Sequence, residues 1–172
     1  MQNDKISTII KKRSSVRNYI NTQISDDDLK SILETALYAP SGKNRQPWRF
    51  VIIKRSDVIR SISKTTIYSR FVRNAPVIIL IFLCKDAGYP IEKDMIGIGA
   101  CVQNIMLTAT EKSYGSCIIG EIFDKPKGIV DYIDADMRNY MLVCGIAIGK
   151  TDILIKEKET KKLDNFILDV IK

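Results

Sequence analysis

The 172-residue sequence contains no histidine, which excludes Ser-His and Cys-His nucleophile pairs. Its four cysteines show no CxxC spacing, so a zinc site is not expected either. All four lie in apolar surroundings, and we interpret them as reduced, buried packing residues of a cytoplasmic protein: Cys84, Cys101, Cys117 and Cys144. Any catalysis must therefore use carboxylates, lysines, backbone groups or a cofactor.

The sequence also lacks membrane-length apolar runs and recognisable targeting signals. The apolar run "APVIILIFLC" at 75–84 is about half as long as the ~20 residues that a membrane helix needs. The start, "MQNDKISTII", lacks the charged-then-apolar layout of a signal peptide. Neither GxGxxG nor a P-loop occurs, so a Rossmann or P-loop nucleotide site has no support. We expect no membrane partner.

Positive charge, in contrast, is abundant and concentrated. The net charge is +7. Residues 1–17 carry five cations and one acid, and residues 43–73 carry nine cations and one acid. Concentrated positive charge favours a phosphate-bearing partner, either a nucleic acid or a phosphorylated cofactor. A basic surface without a specific ligand is the alternative.

The apolar periodicity predicts one α+β or α/β domain spanning 1–172. Ser25 followed by Asp28 fits a capping box that opens a helix ending at Pro40, and Ser56 is a second candidate cap. Other predicted helices span 4–13, 57–63, 94–112 and 126–134, and predicted strands span 49–54, 76–84, 116–120 and 140–149. The final "LDNFILDVIK" suits a short helix or an extended arm.

The predicted helix 94–112 is apolar almost all round, so it belongs in a core or an oligomer interface. Gly97 and Gly99 lower its intrinsic helix stability, which predicts close backbone packing at both positions.

The stretch "KKRSSVRNY" spaces Arg13, Ser15 and Arg17 two residues apart. In an extended segment these side chains point to one side. Two guanidiniums and a hydroxyl on one side suit a phosphate. The alternative is that they cap the preceding helix and are otherwise solvated.

Two further stretches bear polar groups at turns. In "APSGKNRQPWRF" a constrained loop presents the amides of Asn44 and Gln46, whose donors and acceptors suit the edge of a planar heterocycle. An ordinary turn beside a core Trp48 is the alternative. In "YGSCIIGEIF" a strand ends at Ile119-Gly120-Glu121 and exposes backbone N–H groups. Glu121 could act as a general base, although a lone carboxylate is more often solvated.

Together and in this order, these stretches resemble the nitroreductase family of FMN-dependent oxidoreductases. The matching pieces are "RSSVRNY", "ILETALYAPSGKNRQPWRFVII", "GIGACVQNIMLTATEKSYGSCIIG" and a terminal "AIG" strand with a lysine-rich tail, which cover nearly the whole chain. The pattern "APSxxNxQPW" is the most specific. The resemblance implies an α+β fold with a central, mainly antiparallel sheet flanked by helices. It also implies a homodimer with FMN at each of two subunit interfaces.

The resemblance also implies roles for individual residues. Arg13, Ser15 and Arg17, with the backbone of Ser14, would hold the FMN phosphate and ribityl chain. The partner subunit would contribute Pro40, Ser41 and Asn44, and Gln46 would contact the flavin or only shape the loop. The residues beside the isoalloxazine near N5 would be Ile119, Gly120 and the N–H of Glu121, which replaces a glycine common in the family. A tail cation would reach the phosphate, with three candidates: Lys158, Lys161 and Lys162.

The implied reaction is a ping-pong exchange in which NADH or NADPH reduces FMN and leaves. A small acceptor such as a nitroaromatic or quinone then enters and is reduced. One alternative keeps the fold and flavin but changes the chemistry: a flavin-fragmenting, dehalogenating or cyclodehydrating relative, or a non-turnover flavin binder. A nucleic-acid-binding module is the third hypothesis. The sequence contains no helix-turn-helix, RNP or zinc-finger pattern, so we expect no nucleic-acid partner.

Overall fold

The computed structural model describes residues 5–85, 89–124, 127–133, 137–153 and 160–171. Its centre is a four-stranded sheet with the strand order β1-β2-β4-β3, in which all neighbouring strands are antiparallel. The strands are β1 (Trp48–Ile53), β2 (Val77–Cys84), β3 (Tyr114–Ile119) and β4 (Tyr140–Lys150). The predicted α+β class and the four predicted strands are therefore confirmed.

The apolar run of β2 is buried on both faces, as its sequence predicts. Alternate side chains point to opposite faces of a strand, so Ile79 and Ile81 enter one core cluster while Ile78 and Leu80 enter the other. Against the first face pack α2 (Asp26–Ala36) and α5 (Ile91–Glu111). Against the second face pack α3 (Ser56–Ser63) and α4 (Ser69–Arg73). The structure also contains α1 (Ile6–Lys12) and α6 (Lys127–Val130).

The two predicted helix caps have different outcomes. The Ser25 hydroxyl accepts a hydrogen bond from the Asp28 N–H at 3.1 Å, which confirms the cap of α2. α2 ends at Ala36, four residues before Pro40. The prediction that Ser56 caps α3 is wrong, because Ser56 is the first helical residue and Arg55 precedes the helix.

The long helix α5 is buried on one side rather than all round. Ile98, Cys101 and Ile105 are fully buried, whereas Ile96 is 75% exposed. A methyl group at Gly97 would lie 2.9 Å from the Pro40 carbonyl oxygen, so close backbone packing at this position is confirmed. At Gly99 no atom of this chain lies within 4 Å of a methyl group placed there, so packing within the chain does not require this glycine.

A segment over residues 13–20 contacts β3 near Ser116 and reaches the end of β4. The Val16 N–H donates to the Ser116 carbonyl at 3.0 Å, and the Ile20 N–H donates to the Lys150 carbonyl at 2.9 Å. Tyr19 anchors the same segment, since its hydroxyl donates to the Val16 carbonyl at 2.7 Å. This close approach needs Gly115, because a methyl group there would lie 2.5 Å from Val16 Cγ1.

The cysteines and the C-terminal residues complete the description. All four thiols are free, and Cys84 is half-buried rather than buried as predicted. Burial raises the pKa of Cys101 and of Cys144 to about 12, so both thiols stay protonated at neutral pH.

Residues 160–171 are exposed and form only a short turn at Leu163–Asn165, which agrees with the arm rather than the helix. None of the described helices is both long and apolar enough to cross a membrane.

Candidate functional site

Arg13, Ser15 and Arg17 all act on the Cys117 thiol of β3. Ser15 and Arg17 are within hydrogen-bonding reach of this thiol, and the charges of both arginines act on it. Burial nevertheless raises the pKa of Cys117 above its usual value, against the opposite effect of these neighbours. Ser15 and Arg17 are exposed and accessible to a ligand. The shared side of Arg13, Ser15 and Arg17 stays a prediction.

Next to this cluster lies a cavity of about 310 Å³, lined by Arg17, Tyr68, Phe71, Ile118, Gly120 and Glu121. The Arg17 guanidinium carbon is 5.9 Å from the centre of the Phe71 ring. A methyl group at Gly120 would meet no atom within 4 Å, and the residue has no positive φ angle. Neither packing nor backbone conformation therefore requires glycine here. Because Gly120 has no side chain, the backbone at the end of β3 is openly accessible.

The Glu121 carboxylate is not simply solvated, so that interpretation is wrong. Its Oε2 accepts a hydrogen bond from the Thr66 hydroxyl at 2.5 Å and another from the Ile67 N–H at 3.1 Å. Glu121 therefore ties the end of β3 to the turn between α3 and α4. The sequence contains no signal for this contact, because Thr66 and Glu121 lie 55 residues apart.

The loop 40–46 has a strained backbone. Lys43, Asn44 and Gln46 have φ angles of 54°, 52° and 49°, a region that non-glycine residues rarely adopt. Such strain persists only where surrounding contacts impose it, and it clusters at functional sites. The Ser41 hydroxyl accepts from the Gln46 N–H at 3.0 Å, and Gln46 Nε2 donates to Asn44 Oδ1 at 3.0 Å. Gln46 thus shapes the loop by orienting Asn44.

A salt bridge holds this loop against the start of α5. Arg45 Nη2 lies 3.6 Å from Asp94 Oδ2, and the Asp94 side chain is only 2% exposed. The Arg45 guanidinium carbon also lies 4.8 Å from the centre of the Tyr89 ring. Trp48, which follows the loop, is a core residue at 3% exposure. The loop is therefore both anchored to the core and strained, which disfavours an ordinary turn.

The two groups of predicted site residues lie at opposite edges of the sheet. The loop 40–46 leads into β1, at one edge of the sheet. Ile119 is the last residue of β3, at the other edge, and Gly120 follows it. Strands β2 and β4 lie between β1 and β3. Three strand spacings separate the two edges by about 14 Å. One chain therefore does not place Pro40, Ser41 or Asn44 in the cavity that Arg17 and Gly120 line.

The remaining described residues of the predicted site do not line the cavity. Ser14 is half-buried between the two residues of the cluster that flank it. Lys161 and Lys162 are exposed on the C-terminal arm. Lys158 lies outside the described residues.

The model of the nitroreductase family matches residues 10–67 and 57–150 of this chain. The chain belongs to the nitroreductase family. An Archaeoglobus fulgidus protein assigned as an NADH dehydrogenase/NAD(P)H nitroreductase is 32% identical over 115 residues, which are 65% of each chain. The match to a similarly assigned Methanothermobacter thermautotrophicus protein spans 64% of that relative. This nitroreductase-family chain thus spans just under two thirds of the length of both relatives.

Two further similarities bear on the chemistry of the family. A Thermotoga neapolitana iodotyrosine deiodinase is 31% identical over 133 residues, covering 63% of this chain and 69% of that protein. A Desulfovibrio desulfuricans protein assigned as a nitroreductase, whose crystal structure is a complex with FMN, superposes with a TM-score of 0.89. It is 31% identical and covers 99% of both chains. The fold predicted from the resemblance is therefore confirmed.

Proposed function

We propose that this chain is an FMN-dependent oxidoreductase in which NADH or NADPH supplies electrons to a nitroaromatic, a quinone or a similar acceptor. The observation that carries the proposal is a cavity lined by both Arg17 and Gly120, beside which Arg13 and Ser15 act on the Cys117 thiol. The FMN-bound Desulfovibrio desulfuricans relative and the NAD(P)H nitroreductase names support it.

The residues present fit a phosphorylated flavin. Two guanidiniums and a hydroxyl provide charge-assisted donors for a phosphate, with the Ser14 backbone beside them. The open backbone at Gly120 and the following Glu121 N–H would let a flat ring approach closely, because no side chain occupies that space. Bound flavin supplies hydride and electron transfer, whereas the protein supplies position and charge. A tail cation among Lys158, Lys161 and Lys162 would add positive charge around the phosphate.

The second half of the site would come from a partner subunit of a homodimer. Since the loop 40–46 and the cavity lie at opposite edges of one sheet, Pro40, Ser41 and Asn44 would reach the flavin from the other chain. The exposed Ile96 of α5 and the exposed apolar side chains of the arm, Phe166 and Leu168 among them, support an interface between subunits. We place the assembled 1–172 domain in the cytoplasm, in agreement with its free thiols.

A second candidate keeps the flavin but removes halogen from an aromatic substrate. The Thermotoga neapolitana iodotyrosine deiodinase relative favours it. Turnover of 3-iodotyrosine, compared with a nitroaromatic under the same reducing conditions, separates the two candidates.

The test is an absorption spectrum of the purified protein followed by anaerobic titration with NADH and NADPH. We expect a yellow protein, or one that takes up added FMN, whose flavin absorbance is bleached by a nicotinamide. A colourless protein that takes up no FMN would overturn both candidates. A bound flavin that neither nicotinamide bleaches would favour the second candidate or a flavin binder without turnover.

A further inference from the structure

The cavity beside Arg17 has one wall that is held in place by a carboxylate from another element. Glu121 follows β3, and its carboxylate accepts from the Thr66 hydroxyl at 2.5 Å and from the Ile67 N–H at 3.1 Å. The Thr66 hydroxyl in turn accepts from the Tyr68 N–H at 3.1 Å. Three successive residues of the turn before α4 are therefore connected to Glu121, directly or through one hydroxyl.

This arrangement fixes the hydroxyl and orients the turn. Thr66 is only 6% exposed, and its hydroxyl has one donor and one acceptor contact, so little rotational freedom remains. Thr66 enters the interior while its neighbours stay outside, with Ile67 at 76% and Tyr68 at 48% exposure. The link thus presents two large apolar side chains to solvent.

Of these two side chains, Tyr68 lines the same cavity as the open backbone of Gly120. Tyr68 and Phe71 both line it, and their ring centres lie 5.9 Å apart with the planes tilted by 47°. Aromatic rings favour offset or tilted contact with another flat ring. A planar acceptor above Gly120 would therefore gain contact from this wall, whereas a compact hydrated ion would gain little.

Resting on the proposed function, we propose that Thr66 and Glu121 are positioning residues that hold Tyr68 in the acceptor-side wall. The wall selects planar, uncharged aromatic acceptors over compact ionic acceptors. Glu121 thereby couples the end of β3, where the flavin is proposed to bind, to the turn that recognises the acceptor. The carboxylate acts through its hydrogen bonds and takes no part in proton transfer.

The test compares steady-state kinetics of FMN-loaded Thr66→Val and Thr66→Ser with two acceptors: menadione, a planar quinone, and ferricyanide, a compact ion. Valine keeps the shape of threonine but removes the hydroxyl, while serine restores it. We expect Thr66→Val to raise KM for menadione about tenfold, the lower end of what one apolar contact contributes to discrimination. We expect kcat/KM for ferricyanide to stay unchanged and Thr66→Ser to return KM for menadione toward the wild-type value.

An equal change for both acceptors, or no change for menadione, would overturn the proposal. If Thr66→Val does not fold, Tyr68→Ala provides the same comparison, because Tyr68 is half exposed and its removal deletes the wall directly. Tyr132→Ala is the matched control, since Tyr132 is 52% exposed and does not line this cavity. An unchanged KM for menadione in Tyr68→Ala also contradicts the proposal. Wild-type flavin that no nicotinamide bleaches would instead count against the proposed function.

Discussion

The two edges of the sheet offer a ligand different features. At the β3 edge, Arg13 and Arg17 supply charge beside an open backbone, and neither Ile119 nor Gly120 has a positive φ angle. At the β1 edge, the loop 40–46 supplies shape through three residues with positive φ, held by the Arg45–Asp94 salt bridge. Charge at one edge is suited to binding a phosphate, whereas a preformed loop at the other is suited to orienting a ring. A site that needs both must join two edges.

The largest effect is expected where the loop is anchored. Asp94→Ala removes a nearly buried carboxylate from the first turn of α5, where it also interacts favourably with the helix dipole. Breaking such a pair should lower the free energy of unfolding by about 3 kcal/mol, which urea titration would measure. Glu92→Ala, in the same turn but exposed, is the control and should change stability little. Equal losses in both variants would mean that the dipole, not the salt bridge, dominates.

At the β3 edge we expect a smaller effect, on binding rather than stability. Arg17→Ala should weaken FMN binding about tenfold to a hundredfold, because a charge-assisted hydrogen bond contributes about 1.5–3 kcal/mol. Fluorescence titration of the apoprotein with FMN would measure this change. The control is Arg60→Ala, an exposed cation of α3 that does not line the cavity. Unchanged FMN affinity in Arg17→Ala would contradict the phosphate assignment.

Mixed dimers test whether the loop 40–46 of one subunit completes the cavity of the other. Co-expression of Arg17→Ala and Asn44→Ala chains should restore activity to about a quarter of the wild-type value. Random pairing in a two-fold dimer makes half of the dimers mixed, and each mixed dimer has one intact site. A mixture of Arg17→Ala and Arg13→Ala is the control, since both changes lie in the same half and no intact site can form. Mixed dimers of the first kind without restored activity would show that the loop does not act across subunits.

The smallest effect is expected from the hydrogen bonds that join Asp28 to Lys112 and Tyr114, away from both proposed halves of the site. Hydrogen bonds from Lys112, Tyr114 and Ser25 lower the pKa of Asp28 from 3.8 to about 2, and the one from Lys112 has the largest effect. Lys112 Nζ lies 2.9 Å from Asp28 Oδ1, and the Tyr114 hydroxyl lies 2.8 Å from Oδ2. This link therefore joins the first turn of α2 to the start of β3.

Because the folded-state pKa of Asp28 is depressed, the unfolded chain binds more protons between pH 4 and 2. The stability from this link is fully present above about pH 4 and is lost as pH falls toward about 2. Asp28→Asn should be less stable at pH 7 and lose less stability on acidification than the wild type. Urea titrations at pH 7, 4 and 3 would measure this, with the exposed neighbour Asp27→Asn as control. Parallel acid profiles for wild type and Asp28→Asn would contradict the prediction.

Features that depend on neighbouring residues could be predicted from the sequence. The Ser25 cap involves two residues three positions apart, and the run of β2 shows its burial directly. The spacing of Arg13, Ser15 and Arg17 predicts their shared side, because an extended segment alternates its side chains. Ser56 shows the limit of this reasoning: a suitable residue type does not establish that the surrounding backbone uses it.

The sequence by itself determined the four strands, the burial of β2, and the residue types at both edges of the sheet. These properties follow from periodicity and side-chain chemistry, which act over a few residues. Only the tertiary structure decided that Pro40 and Gly120 lie at opposite edges and that Glu121 reaches Thr66. Both depend on the strand order and on which elements pack together, since contacts between residues distant in sequence are formed by the fold as a whole.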